Sequence, residues 1–156
     1  MSLASLEQAL GDGERLLVDT TSLIAYFDQT ERISPLALHV LNELIFSGRN
    51  PAVVSMVSIM EVLVRPMRVG AVAPYTHLLH FLTNFPNLRP LPVDLFVAQE
   101  AASLRAGYRL STADALIVGT GLVAQVHHLV TNDADWVRKL QPINSRIRVC
   151  LLSHHV

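Results

Sequence analysis

The sequence predicts an α/β protein, a three-layer α/β/α sandwich around a mostly parallel five-stranded sheet. Two observations lead there. Short apolar runs alternate with helical segments along the whole chain, as strands joined by crossover helices do. The runs are also short and mostly apolar, as strands covered on both faces are.

Residues 1–14 read as a short helical or loose lead-in, with Gly11-Asp12-Gly13 as a turn, and residues 15–153 as a single domain. Arg15-Leu-Leu-Val-Asp19 is a buried strand closing on an acid, and a short helix follows from Thr20 to Asp28. Ser34 caps the next helix, with Pro35 at its first position and Gly48 as its stop. Ala52–Ser55 is the second strand. Ser58 to Val64 is helical and ends before Pro66. Pro74 to Asn84 is a further helix. Leu88 to Val93 carries Pro90 and Pro92 and suits only a sheet edge. Asp94 caps a long helix to Ala106, and Ser111 starts another that runs to about Val126. His127–Thr131 is a strand, Asp135–Leu140 a short helix, and Ile147–Leu152 the last strand.

Of the 156 residues, 51% are apolar and 16% charged, which excludes a disordered chain and leaves apolar surface over for a groove filled by a small protein partner. The most apolar helical stretch, Ala115 to Val126, falls short of the roughly 18–20 apolar residues a membrane span needs. With no signal-peptide pattern, a cytoplasmic protein is expected. Cys150 is the only cysteine, so no intrachain disulfide forms; it reads as a small buried hydrophobe. The net charge of −1 lacks the basic excess of many nucleic-acid binders. The basic residues are arginines apart from Lys139, and the arginine fork suits phosphate.

Four acids are expected at one edge of this sheet. Asp19 ends the first strand and Asp133 follows the fourth. Glu61 and Asp114 lie in the first turns of helices whose N-termini open on the same edge. Carboxylates gathered in one crevice repel one another unless a cation joins them. Mg²⁺ or Mn²⁺ prefers carboxylate and water oxygens, activates water and clamps a phosphate. Local readings stay open for each acid. Ser58-Ile-Met-Glu61 and Ser111-Thr-Ala-Asp114 both fit a capping box, and Arg65 stands at i+4 from Glu61.

These segments resemble the PIN-domain family. Leu16-Leu-Val-Asp19-Thr-Thr-Ser-Leu-Ile-Ala25 is similar to its opening strand and first acid, Ser58-Ile-Met-Glu61-Val-Leu to the second acid in its helix, Leu110-Ser-Thr-Ala-Asp114-Ala-Leu-Ile-Val118 to the third, and Leu129-Val-Thr-Asn-Asp133-Ala-Asp-Trp136 to the fourth. The resemblance runs from about Leu16 to Leu152 and is nearest to the small VapC-type toxins. It implies a metal-dependent endoribonuclease using Mg²⁺ or Mn²⁺, a homodimer, RNA as substrate, and inhibition by an antitoxin protein. It also implies that Asp19, Glu61, Asp114 and Asp133 form the acidic cluster and hold the metal, with Thr131 as an orienting hydroxyl, Thr21 supporting the first acid and Asp135 auxiliary. The alternatives are a catalytically silent PIN-like binding module, or a PIN nuclease of RNA processing that is no toxin.

Arg65, Arg68, Arg105 and Arg109 are candidate phosphate contacts because they lie near the acidic motifs. His77 and His80 share a helix face without a nearby acid and make a poor metal site. Trp136 reads as core, and Gly119 and Gly121 as points of close helix packing.

Overall fold

The computed structural model describes residues 2–156. After helix α1 (Leu3–Ala9) come strand β1 (Leu16–Val18), α2 (Thr20–Phe27), and α3 (Ser34–His39), which continues as a π-helical stretch over Val40–Ile45. β2 (Ala52–Ser55), α4 (Met56–Arg68), α5 (Val72–Asn84) and β3 (Leu88–Leu91) follow. The chain ends with α6 (Leu95–Tyr108), α7 (Thr112–Val123), β4 (His128–Thr131), α8 (Asp135–Leu140) and β5 (Arg148–Leu151).

The sheet order is β3-β2-β1-β4-β5, and every pair is parallel. The expected five strands are all present. β3, with Pro90 in it, takes an edge, where a missing N–H costs least. Side chains of successive strand residues face opposite ways, so β1 feeds two cores. Leu16 and Val18 join Leu23, Leu36, Leu41, Ile59 and Leu82 on one face. Leu17 joins Leu104, Ile117, Leu129 and Trp136 on the other. Helices therefore cover both sides of the sheet. The lead-in is helical, and its Leu6 and Leu10 are wholly buried in the first core.

Three local expectations need correction. Ser34 opens α3 but does not cap it: Ile33 holds the cap position, and the Ser34 hydroxyl donates to Asp28 O at 2.9 Å. α4 begins at Met56, capped by the Ser55 hydroxyl, which accepts from Val57 N at 3.1 Å. Ser58 is therefore inside the helix, and its hydroxyl is buried without a partner. The same helix passes through Pro66 and ends at Arg68, not before the proline. Pro66 sits in the last turn and is buried, so one lost hydrogen bond is offset by packing.

α6 and α7 form a close antiparallel pair. A methyl group on Gly119 would meet Val97 O at 3.2 Å and Ala101 N at 3.3 Å, so the two backbones approach as closely as glycine allows. Among the described residues no helix is long and apolar enough to cross a membrane.

Candidate active site at the sheet's switch point

The chain builds β1, β2 and β3 outward to one side, then returns to place β4 and β5 on the other side of β1. The carboxyl ends of β1 and β4 therefore flank the point where strand order reverses, where crossover helices leave a crevice in parallel sheets. Asp19 and Asp133 lie at those ends. Asp19 N donates to Val130 O at 3.1 Å, which ties the two ends together.

Asp19 is the N-cap residue of α2, yet its side chain makes no capping bond. The carboxylate is almost wholly buried, at 3% exposure. Thr131 Oγ1 donates to its Oδ2 at 2.8 Å, and Thr21 Oγ1 donates to the same oxygen at 3.1 Å. Each hydroxyl has a single proton, so the 3.1 Å between the two threonine oxygens is a packing distance once both point at Asp19. No described cation pairs with Asp19. A buried carboxylate with one oxygen saturated by hydroxyls and no cation beside it is a costly arrangement to leave alone.

The threonines extend the network to the fourth acid. Thr131 Oγ1 accepts from Asp133 N at 3.0 Å, and Thr21 Oγ1 accepts from Asn132 N at 2.9 Å. Asp133 Oδ1 accepts from Asp135 N at 2.9 Å, so Asp133 turns the chain into α8 while Asp135 stays exposed. The Asn132 side-chain oxygen is buried without a partner, a further unused acceptor at this edge. Glu61 accepts a hydrogen bond from Thr20 Oγ1, the residue next to Asp19, and makes no ion pair with Arg65.

Asp114 takes a different partner. The Ser111 hydroxyl accepts from Asp114 N at 3.2 Å, so half of the expected capping box is present. Asp114 Oδ2 accepts from Lys139 Nζ at 2.9 Å rather than reaching back to Ser111. The Lys139 ammonium also lies 5.1 Å above the Trp136 ring. Partial burial lowers the pKa of Lys139, but Asp114, with Asp133 and Asp135 beyond it, outweighs that and raises it above its ordinary value.

No three of the described Asp, Glu, His and Cys side chains come together as a metal cage. The donor chemistry suits a hard cation all the same: carboxylate and amide oxygens at one edge, with no sulfur or imidazole among them.

A family model for the PIN domain matches residues 16–140. The chain belongs to the PIN-domain family. Solved structures share its fold. A toxin–antitoxin complex from Klebsiella pneumoniae is 20% identical, with 88% of this chain and 97% of that one covered at a TM-score of 0.63. FitAcB from Neisseria gonorrhoeae is 18% identical, covering 89% and 99% at 0.67. VapC20 from Mycobacterium tuberculosis, a sarcin-ricin loop cleaving toxin, is 14% identical, covering 78% and 92% at 0.61. A search of curated protein sequences finds no match.

In this PIN fold the four candidate arginines separate. Arg65 and Arg68 stand in the last turn of α4, which starts at the site edge and runs away from it. Arg65 instead lies in the field of Asp28, at the far end of α2. Arg105 and Arg109, at the end of α6, lie beside the start of α7; Arg105 Nη1 donates to Thr112 Oγ1 at 2.7 Å. Arg109 adopts a left-handed conformation (φ 56°), which costs an arginine about 1 kcal/mol that glycine would avoid. Sequence reading missed two site residues, Thr20 and Lys139. Thr20 carried a signal as the hydroxyl next to Asp19. Lys139 carried none, because its contact with Asp114 is made between two separate helices.

Proposed function

We propose that this PIN protein is a divalent-metal-dependent endoribonuclease that acts as the toxin of a toxin–antitoxin pair. Asp19 carries the reading. It is a buried carboxylate at the switch point, it does not cap its helix, and two threonine hydroxyls hold one of its oxygens. Burying a charge in this way is expensive unless a cation joins it. Asp19 would anchor an Mg²⁺ or Mn²⁺ ion, with Glu61, Asp114 and Asp133 supplying further carboxylates from the same edge. Such an ion supplies a water of lowered pKa and positive charge against the phosphate oxygens.

The chain's own residues do the rest. Thr131 and Thr21 both donate to Oδ2 of Asp19 and orient the carboxylate that would hold the ion. Thr131 also holds the Asp133 backbone, keeping the acids of β1 and β4 in register. Asp135, exposed next to Asp133, is an auxiliary acid. Glu61 and Asp114 must leave Thr20 and Lys139 to take part.

The toxin reading draws on the fold neighbours, several of which are toxins or toxin–antitoxin proteins by name. It also draws on α4 and the turn after it, where Met56, Met60, Met67, Val69 and Val72 are exposed. An antitoxin helix would cover such a face. A homodimer acting in the cytoplasm completes the proposal.

One observation favours a second reading, a catalytically silent binding module: the Lys139–Asp114 ion pair neutralises one acid internally. Cleavage of single-stranded and structured RNA separates the two. Wild type should cleave with Mn²⁺ and stop on chelation, and Asp19→Asn should be inactive. Equal cleavage by both would remove Asp19 from the site; no cleavage by wild type would leave the binding module.

A further inference from the structure

An open cleft of about 490 Å³ adjoins Asp114, between the end of α6, the start of α7 and α8. Tyr108, Arg109, Ser111, Asp114, Arg138 and Lys139 line it. Three cations face one carboxylate there, in a chain whose net charge is −1. Lys139 is engaged with Asp114, whereas Arg109 and Arg138 are exposed and pair with no described carboxylate. Arg109 is held at a left-handed position that favours glycine, so a long cation is kept where the backbone would prefer none. Tyr108 is an exposed aromatic ring on the same wall.

We propose that this cleft binds the RNA strand next to the cut, with Arg109 and Arg138 on successive backbone phosphates and Tyr108 against a base. The inference rests on the nuclease reading. A polyanion approaching four carboxylates is repelled unless cations lie along its path. These are the unpaired arginines that share a concavity with one of the four acids. Planar guanidinium groups suit phosphate oxygens, and an exposed ring suits base stacking, the combination by which single strands are held without a sequence code. Lys139 stands where the cleft meets the acids. It bridges the two regions, leaving Asp114 for the strand when the site is filled.

Fluorescence anisotropy with a short labelled single-stranded RNA of mixed sequence tests this, using the full chain carrying Asp19→Asn. Adding Arg109→Gly, which keeps the left-handed backbone, together with Arg138→Ala should weaken binding by about tenfold or more at moderate salt. The salt slope should become shallower by about 1.4, roughly 0.7 for each single-strand phosphate that is no longer neutralised. Arg109→Lys with Arg138→Lys should retain most of the binding. Removing two arginines elsewhere, Arg15→Ala with Arg32→Ala, should cost no more than about threefold. The proposal is overturned if the cleft pair and the distant pair weaken binding equally, if neither does, or if Asp19→Asn protein binds no RNA. Failure of the nuclease reading shows separately, as wild type and Asp19→Asn cleaving alike, while the anisotropy comparison still decides the cleft.

Discussion

Thr131 joins two functions in one buried hydroxyl: it donates to Asp19 and accepts from the backbone of Asp133. Thr131→Val keeps the shape and removes both bonds. Residues that orient a metal-binding carboxylate commonly affect affinity by about 10–100-fold. Mn²⁺ affinity measured by calorimetry should fall by roughly that range while the protein stays folded; unchanged affinity would make Thr131 a packing residue. Cys150 illustrates a buried group with no such task. Burial pushes its thiol up to about 12, so little thiolate forms at ordinary pH. Thiol reagents at mildly alkaline pH should label it only after denaturant unfolds the chain, and rapid labelling of native protein would contradict its placement. Its role as a small core residue was legible from its apolar neighbours in sequence.

At the scale of elements, α6 packs closely on α7, the helix that carries Asp114. Gly119→Ala gains about 1 kcal/mol of helix propensity. Against that, the added methyl meets two backbone atoms of α6 rather than the loose end of a side chain. Overpacking of this kind costs about 1–3 kcal/mol, so the net effect should be destabilising, read as a lower urea midpoint. A raised midpoint would mean that α6 has room to shift. The glycines of α7 could be read as packing residues because neither follows a strand. The start of α4 could not. Ser58 and Glu61 have capping-box spacing, and Ser55, the true cap, is hidden at the end of β2. Pro66 misled for a related reason, since a proline near a helix end is tolerated where tertiary packing holds the final turn.

The whole molecule is held at the opposite sheet edge by a cluster joining three elements. Glu14, just before β1, accepts from Arg148 Nη2 at 2.7 Å and lies 2.5 Å from His128 Nε2. The His128 hydrogen bond lowers Glu14 from 4.5 to about 2, with Arg148 adding to it against the effect of burial. Burial depresses His128 below its usual 6.5, opposed by Glu14. Both groups bind protons more readily in the unfolded chain, so each makes stability fall as pH falls. His128 acts below pH 6.5, and Glu14 between about 4.5 and 2. Denaturation midpoints measured across this range should decline in both windows. Glu14→Gln should flatten the lower window, and an unchanged profile there would remove Glu14 from the account. The strand and helix ends that carry Asp19, Asp114 and Asp133 were legible, because a parallel sheet and its crossover helices alternate along the chain. The acids' present partners were not, since Thr20–Glu61 and Lys139–Asp114 join segments that meet only in the folded chain.

The central claim is that the Asp19 edge is built to hold a divalent cation, and anomalous diffraction from crystals soaked in Mn²⁺ tests it most directly. A peak bonded to Asp19, with Glu61, Asp114 and Asp133 turned toward it and Lys139 displaced, is the predicted result. No peak at this edge under saturating Mn²⁺, with Glu61 still on Thr20 and Asp114 still on Lys139, would contradict it.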